Sequence, residues 1–189
     1  MDYQNKLKFY QDFPIEGVNF VDIIPLMQDK ESFKALIKDL GALCESPNIA
    51  APEARGFLFA APMLVSCPNI HNVIPMRKKG KLPYNEGDLV GVDIVKEYGK
   101  DKIYFRLSDV AVGKPEGDTF YVTFFDDVLA TGGTAEGIAH GLEQHKVTLA
   151  DGKTYNIKVK DFVFLVEIDV LKGKEKLEGI APVKSLMHI

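Results

Sequence analysis

The sequence predicts an α/β fold, a mainly parallel central sheet flanked by helices, and two observations carry that reading. The first is residues 121–125, Tyr-Val-Thr-Phe-Phe, β-branched or aromatic throughout with no polar face. That composition marks a strand covered on both sides, as in parallel sheets. The second is the acidic, glycine-rich segment directly after this strand. Asp126 and Asp127 lead into Ala130, Thr131, Gly132, Gly133 and Thr134. Ala135, Ile138, Ala139 and Leu142 then fall at i, i+3, i+4 and i+7, the stripe of an amphipathic helix starting near Thr134. Ligands of open α/β sheets gather beyond the carboxyl ends of the strands. The acid pair is therefore expected where a substrate would lie.

The loop after that pair has the chemistry of an anion site. Its glycines let backbone approach a ligand closely, its two threonines offer hydroxyl donors, and a helix N-terminus presents free N–H groups. It has neither the lysine and spacing of a Walker loop nor the Gly-x-Gly-x-x-Gly of dinucleotide sites. Two acids before a phosphate loop suggest a sugar phosphate: carboxylates for ribose hydroxyls, the loop for the phosphate. An ordinary strand-to-helix turn also welcomes Gly and Thr, and it is the whole stretch that favours a ligand. FFDDVLATGGT closely resembles the 5-phosphoribosyl-1-pyrophosphate (PRPP) loop of type I phosphoribosyltransferases, in the VDDLLATGGT form of the adenine phosphoribosyltransferases. The resemblance implies the type I phosphoribosyltransferase fold, with a small hood and a flexible catalytic loop.

Composition sets the outer bounds. With 189 residues, 46% of them hydrophobic, the chain suffices for a single domain with a full core. A net charge of −4 argues against nucleic acid as a partner. Cys44 and Cys67 have no disulfide or metal spacing. The longest apolar run, residues 57–65, is too short for a bilayer, and the charged N-terminus carries no signal peptide. A cytoplasmic location is expected.

Taken in order, residues 1–12 are polar with a few aromatics and suggest a short helix. DFPIEGVNFVDIIPLM comes next, with Pro14 and Gly17 marking a loop and apolar residues facing inward. It resembles the family's purine hood, assigned to residues 12–28 with part of the C-terminal segment. That likeness implies Phe20 on the face of the base and the backbone of Asn19 and Val21 at its edge; many relatives carry Arg where this chain has Val21. Asp29 is positioned to cap a helix with Phe33, Leu36, Ile37 and Leu40 on one face. Residues 48–52 are a short, weak strand leading into EARGFLFAAP, where Pro62 is expected to shorten or kink a helix. By itself Arg55 reads as a surface arginine at a turn. EARGFLFAAP resembles the family's pyrophosphate loop, which implies Glu53, Ala54 and Arg55 as pyrophosphate contacts and a cis peptide between Glu53 and Ala54.

Residues 70–76 read as a strand ending in the cations of RKKGKLP. Such a run is usually a solvated turn, but it resembles the motif before the family's mobile loop, which implies Arg77 and Lys81 as pyrophosphate ligands. The mobile loop is placed at 82–96. Residues 90–98 and 102–107 alternate around 99–101 as a hairpin, and Glu97-Tyr98-Gly99 resembles the motif carrying the acid that meets the purine imidazole. Residues 114–118 form a polar turn. VTLADGKTYNIKV, with Asp151-Gly152 between alternating arms, is a hairpin, assigned as an insertion over 146–160 with no chemistry. Residues 162–168 read as a buried strand, and VEIDVLKGKEKL resembles the family's closing segment, placing Ile168 near the base. His71, His140, His145 and His188 show no ligand-like spacing.

The resemblance covers most of the chain from Asp12 to Leu186 and implies a reaction: adenine plus PRPP giving AMP plus pyrophosphate, in a homodimer. Mg²⁺ is expected through PRPP and water, with no direct protein ligand. Two rivals remain. One is a phosphoribosyltransferase for a 6-oxopurine, because hood specificity rests on backbone geometry. The other is a non-catalytic PRPP-binding regulator, since a fold and a phosphate loop do not establish catalysis; Glu97 and the intact RKKGKLP argue against it.

Overall fold

The structure is a computed structural model that describes residues 2–96 and 99–189. Among these, the strands are β1 (Lys8–Tyr10), β2 (Phe20–Asp22), β3 (Asn48–Pro52), β4 (Asn72–Lys78), β5 (Leu89–Lys96), β6 (Gly99–Arg106), β7 (Thr119–Leu129), β8 (Lys146–Thr148), β9 (Thr154–Glu167) and β10 (Val183–His188). The helices are α1 (Lys30–Leu43), α2 (Arg55–Ser66), α3 (Leu107–Ala111), α4 (Gly133–Glu143) and α5 (Gly173–Leu177), with 3-10 turns at Gln4–Lys6, Ile24–Met27 and Asp169–Leu171.

One eight-stranded sheet runs β10-β9-β7-β3-β4-β6-β5, with β8 also paired to β9. From β10 to β4 all pairings are parallel, while β4 to β6 and β6 to β5 are antiparallel. The expected α/β class and mainly parallel sheet are what is found. β7 lies inside the sheet between β9 and β3, buried on both faces, as its unbroken apolar run requires. On one side of the sheet α4 packs against β5 and β9, in a core that holds Phe105, Phe120, Phe124, Phe162 and Ile138. The other packs α1 and α2 over Phe59, Phe125, Leu36, Leu40 and Leu165.

Local chemistry explains the boundaries. The Asp29 carboxylate accepts hydrogen bonds from Glu31 N and Ser32 N at 3.2 and 3.4 Å, capping α1. β3, weak by propensity in its Asn-Ile-Ala-Ala-Pro, is fully buried between β4 and β7. Its small side chains suit a strand covered on both faces. α2 runs through Pro62 to Ser66. The expected shortening does not occur.

Several expectations change. Residues 1–12 hold a 3-10 turn and β1, which pairs antiparallel with β2 in a separate two-stranded sheet. The hairpin turn is expected at 99–101, but these residues belong to β6, whose pairing with β5 runs to Lys96↔Gly99. The span 82–96 resolves into irregular chain to Asp88 and then β5. The hairpin at 146–160 is present, but its second arm and the strand at 162–168 are one continuous β9 of 14 residues. It is therefore an extension of a core strand. β10, which pairs on β9, was not anticipated.

Candidate active site

The site is built on the carboxyl end of β7. This strand extends past Phe125 to Leu129, so Asp126 and Asp127 belong to its final pleats and not to the loop beyond it. Alternation sends them to opposite faces. The Asp127 side chain is only 5% exposed. Arg55 Nε lies 2.9 Å from Asp127 Oδ2, yet the pair is misaligned for a hydrogen bond and this buried oxygen accepts none. Asp126 Oδ1 accepts the Asp127 N–H at 2.9 Å. Burial, followed by the neighbouring Asp127 charge, pushes the Asp126 carboxyl well above the usual range, with Arg55 opposing. Burial also raises Asp127, and Arg55 offsets part of that. Gly56 lets α2 begin hard against this pair: a Cβ there would come within 3.4 Å of Asp126 Oδ1 and 3.3 Å of Pro52 Cδ.

The loop Ala130, Thr131, Gly132, Gly133, Thr134 wraps the N-terminus of α4. Gly132 has φ +79°, a conformation glycine adopts without steric cost, and is the N-cap. Its carbonyl accepts the Glu136 N–H at 2.9 Å, which closes the first helical turn. Thr131 and Thr134 are half-buried on either side of it. Free N–H groups, helix dipole and two hydroxyls thus converge next to the acid pair, a disposition suited to phosphate.

Against this end of the sheet lies a cavity of about 410 Å³. Asn19, Phe20, Val21 and Ile168, the four residues expected at a base, all line it, together with Arg55 and Ala130. Phe20 is held edge-on by Phe13, with centroids 5.1 Å apart, and the Arg55 guanidinium sits 5.4 Å from the Phe20 ring centre. Arg55 therefore bridges the cavity and the acid pair. Val128, Val170 and Leu171 also line the cavity, although no motif in the sequence assigned them a role. Their only signal was position, immediately after the acid pair and shortly after Ile168.

The cationic motif gathers on the neighbouring strand ends. The peptide between Glu53 and Ala54 is cis, as the resemblance implied. Glu53 accepts from Lys78 N and Arg77 Nε, each at 2.9 Å, and Lys81 Nζ lies 3.5 Å away. Arg77 Nη1 donates to the Lys81 carbonyl at 2.9 Å. Burial pushes the Glu53 carboxyl upward, but the Lys78 N–H and the two cations outweigh it and hold its pKa below the usual range. Glu53, Arg77 and Lys81 are thus brought together, already engaged with one another. Glu97 lies outside the described residues. His188 meets Asp169 at 2.9 Å, and with Glu167 these offer three ligand atoms within 4.8 Å, a cluster that sequence spacing concealed because β10 brings in the histidine.

No family model matches the chain. It is 38% identical over 183 residues to the adenine phosphoribosyltransferase of Maridesulfovibrio salexigens, covering 95% of each chain. Among solved structures, it resembles the adenine phosphoribosyltransferase of Thermoanaerobacter pseudethanolicus with a TM-score of 0.81 at 32% identity, covering 100% of this chain and 98% of that one. The Saccharomyces cerevisiae enzyme, solved with an imino-altritol bisphosphate and adenine, matches with a TM-score of 0.76 at 29% identity, covering 98% and 96%. With the acid pair, the phosphate-type loop and the apolar cavity assembled at one sheet edge, and with this likeness along nearly its whole length, the chain belongs to the adenine phosphoribosyltransferase family.

Proposed function

We propose that the protein transfers the phosphoribosyl group of PRPP to adenine, giving AMP and pyrophosphate, and so serves purine salvage. One observation carries this reading: Arg55 lines the apolar cavity and lies 2.9 Å from Asp127 Oδ2, a buried oxygen that accepts no hydrogen bond and stands three residues before the loop 130–134 that opens α4. A sugar hydroxyl placed there supplies the missing donor, with the base in the cavity and the 5′-phosphate on residues 130–134.

The chemical difficulty is positive charge at the anomeric carbon as pyrophosphate departs. Asp126 and Asp127 hold the ribose in line, Ala130 to Thr134 hold its phosphate, and Asn19, Phe20, Val21 and Ile168 hold the purine. Arg55, Arg77 and Lys81, on the segment that includes Glu53 and Ala54, neutralise the leaving group. Mg²⁺, when bound through PRPP and water, supplies further charge neutralisation on the pyrophosphate and ribose oxygens. The carboxylate oxygens of the acid pair are hard-oxygen chemistry compatible with such a complex. Glu97 manages the purine imidazole proton, and closure of the 82–96 segment excludes the water that would hydrolyse PRPP.

Adenine is favoured over 6-oxopurines because the hood brings no lysine to a 6-oxo group. Backbone C=O and N–H groups around Asn19 to Val21 are read as pairing with the exocyclic amine and the adjacent ring nitrogen, with the Asn19 amide able to donate as well as accept. The chain is read as a single domain, cytoplasmic and homodimeric. Exposed Leu58, Leu64 and Val65 on α2 support an interface on the pyrophosphate-loop side, and sedimentation showing an active monomer would contradict it. No helix among the described residues is long and apolar enough to cross a membrane. The decisive assay is turnover of adenine, hypoxanthine, guanine and xanthine with PRPP and Mg²⁺. Adenine should lead; no turnover with PRPP still bound would favour the regulator.

A further inference from the structure

We infer that Gly173 is a positioning residue for the phosphate loop, and that the segment 168–173 transmits occupancy of that loop to the base cavity. This rests on the proposed phosphate role of residues 130–134. Gly132 and Gly173 interlock backbone to backbone. A Cβ on Gly173 would lie 2.2 Å from the Ala130 carbonyl oxygen and 3.0 Å from Gly132 N; a Cβ on Gly132 would lie 2.7 Å from the Gly173 carbonyl oxygen. Each backbone approaches the other too closely for a Cβ at either position. The obstructing atoms at these distances are peptide groups, which cannot rotate aside as the end of a long side chain could.

The same short segment lines the base cavity. Ile168, Val170 and Leu171 face the cavity, and the Ile168 N–H donates to the Leu129 carbonyl at 2.9 Å, fastening the segment to the end of β7 just before the loop begins. Between these points Lys172 has φ +53°, a left-handed conformation that few side chains adopt readily. The segment is thus fixed to β7 at one end and wedged against the loop at the other, with the cavity wall in between. A loop that tightens on a phosphate must move against Gly173, and any movement of Gly173 is felt at Val170 and Leu171. Gly173 belongs to the same closing segment as Ile168, but its contact with Gly132 joins positions 41 residues apart and no local pattern discloses it.

Two measurements test this. In the wild-type protein, hydrogen exchange is followed with and without ribose 5-phosphate, which has no base. Protection of both 130–134 and 168–173 is expected. Protection of 130–134 alone would overturn the inference and leave the proposed function standing; protection of neither would remove the phosphate reading on which both depend. Gly173→Ala is then compared with Gly179→Ala, whose added Cβ meets nothing within 4 Å. Gly173→Ala should raise the KM for PRPP by roughly 10- to 100-fold with a much smaller change in kcat, whatever melting temperature the clash costs, while Gly179→Ala matches wild type. An unchanged KM, or parallel losses in melting temperature, kcat and KM, would contradict a positioning role. If Gly173→Ala does not fold, the wild-type exchange pattern decides.

Discussion

Two arginine–carboxylate pairs stand at neighbouring strand ends, and they are built to opposite purposes. Arg77 and Glu53 are hydrogen-bonded at 2.9 Å, with the Lys78 N–H and Lys81 completing the shell around the carboxylate. Arg55 and Asp127 are also 2.9 Å apart, but misaligned, and Asp127 Oδ2 is left without a partner. The first pair is satisfied within the chain and holds Glu53 ionised. The second leaves Asp127 Oδ2 without a hydrogen bond, and it is burial, opposed by Arg55, that holds the acid pair toward the protonated form. An unfilled buried acceptor costs free energy unless something supplies a donor. At the same distance, one carboxylate is thus fully hydrogen-bonded by its own chain and the other keeps an acceptor oxygen without a hydrogen bond.

The largest break in that contrast should come from Asp127→Asn. Replacing a charged acceptor with a neutral amide should cost about 2–3 kcal/mol of ribose binding, or roughly 30- to 150-fold in kcat/KM. Steady-state kinetics with varied PRPP reads it; a change under about 3-fold would mean the oxygen has no ligand. Next is Thr134→Val, which removes one hydroxyl beside the α4 N-terminus and should weaken AMP by about 1–3 kcal/mol, measured by titration calorimetry. Unchanged affinity would take Thr134 out of the phosphate site. Base choice is third: adenine should lead hypoxanthine by at least ~10-fold in kcat/KM. Equal use would remove the hood assignment and leave the phosphate site intact.

The subtlest effect is on stability. Asp126 has a folded pKa raised above its ordinary 3.8, so between that value and the folded pKa the native state binds more protons than the unfolded chain. Its contribution to stability then falls as pH rises through that window. Glu53 has the opposite sign: its lowered pKa contributes stability above its ordinary 4.5 that is lost on acidification through the folded value. Ligand-free Asp126→Asn should therefore melt higher than wild type at neutral pH, and Glu53→Gln lower. Thermal melts at neutral pH and near pH 4 would test both signs.

Most of this arrangement was legible in the sequence where the physics is local. β7 could be read because five consecutive β-branched or aromatic residues have no polar face, and α4 because its apolar stripe is regular. The phosphate-type loop could be found because glycine, threonine and a helix start coincide. The features beyond reach depended on distant partners. β3 has poor strand propensity and becomes a central strand only because β4 and β7 enclose its alanines. β1 and β2 are three residues each and exist as a pair. β10 is half-buried and, among the described residues, pairs with β9 alone, so its Val-Lys-Ser-Leu-Met-His carries a weak pattern. The partnering of Arg77 with Glu53, against the misalignment of Arg55 with Asp127, is tertiary geometry that residue types could not disclose.

On this reading the two pairs divide the substrate, with Asp127 serving the ribose phosphate and the Glu53 clamp serving the pyrophosphate. Product inhibition by AMP and by pyrophosphate, measured in Asp127→Asn and in Glu53→Gln, tests that division most directly. Asp127→Asn should weaken AMP inhibition and spare pyrophosphate, while Glu53→Gln should disturb Arg77 and Lys81, alter pyrophosphate inhibition and spare AMP. Loss of AMP inhibition in Glu53→Gln with none in Asp127→Asn would contradict it.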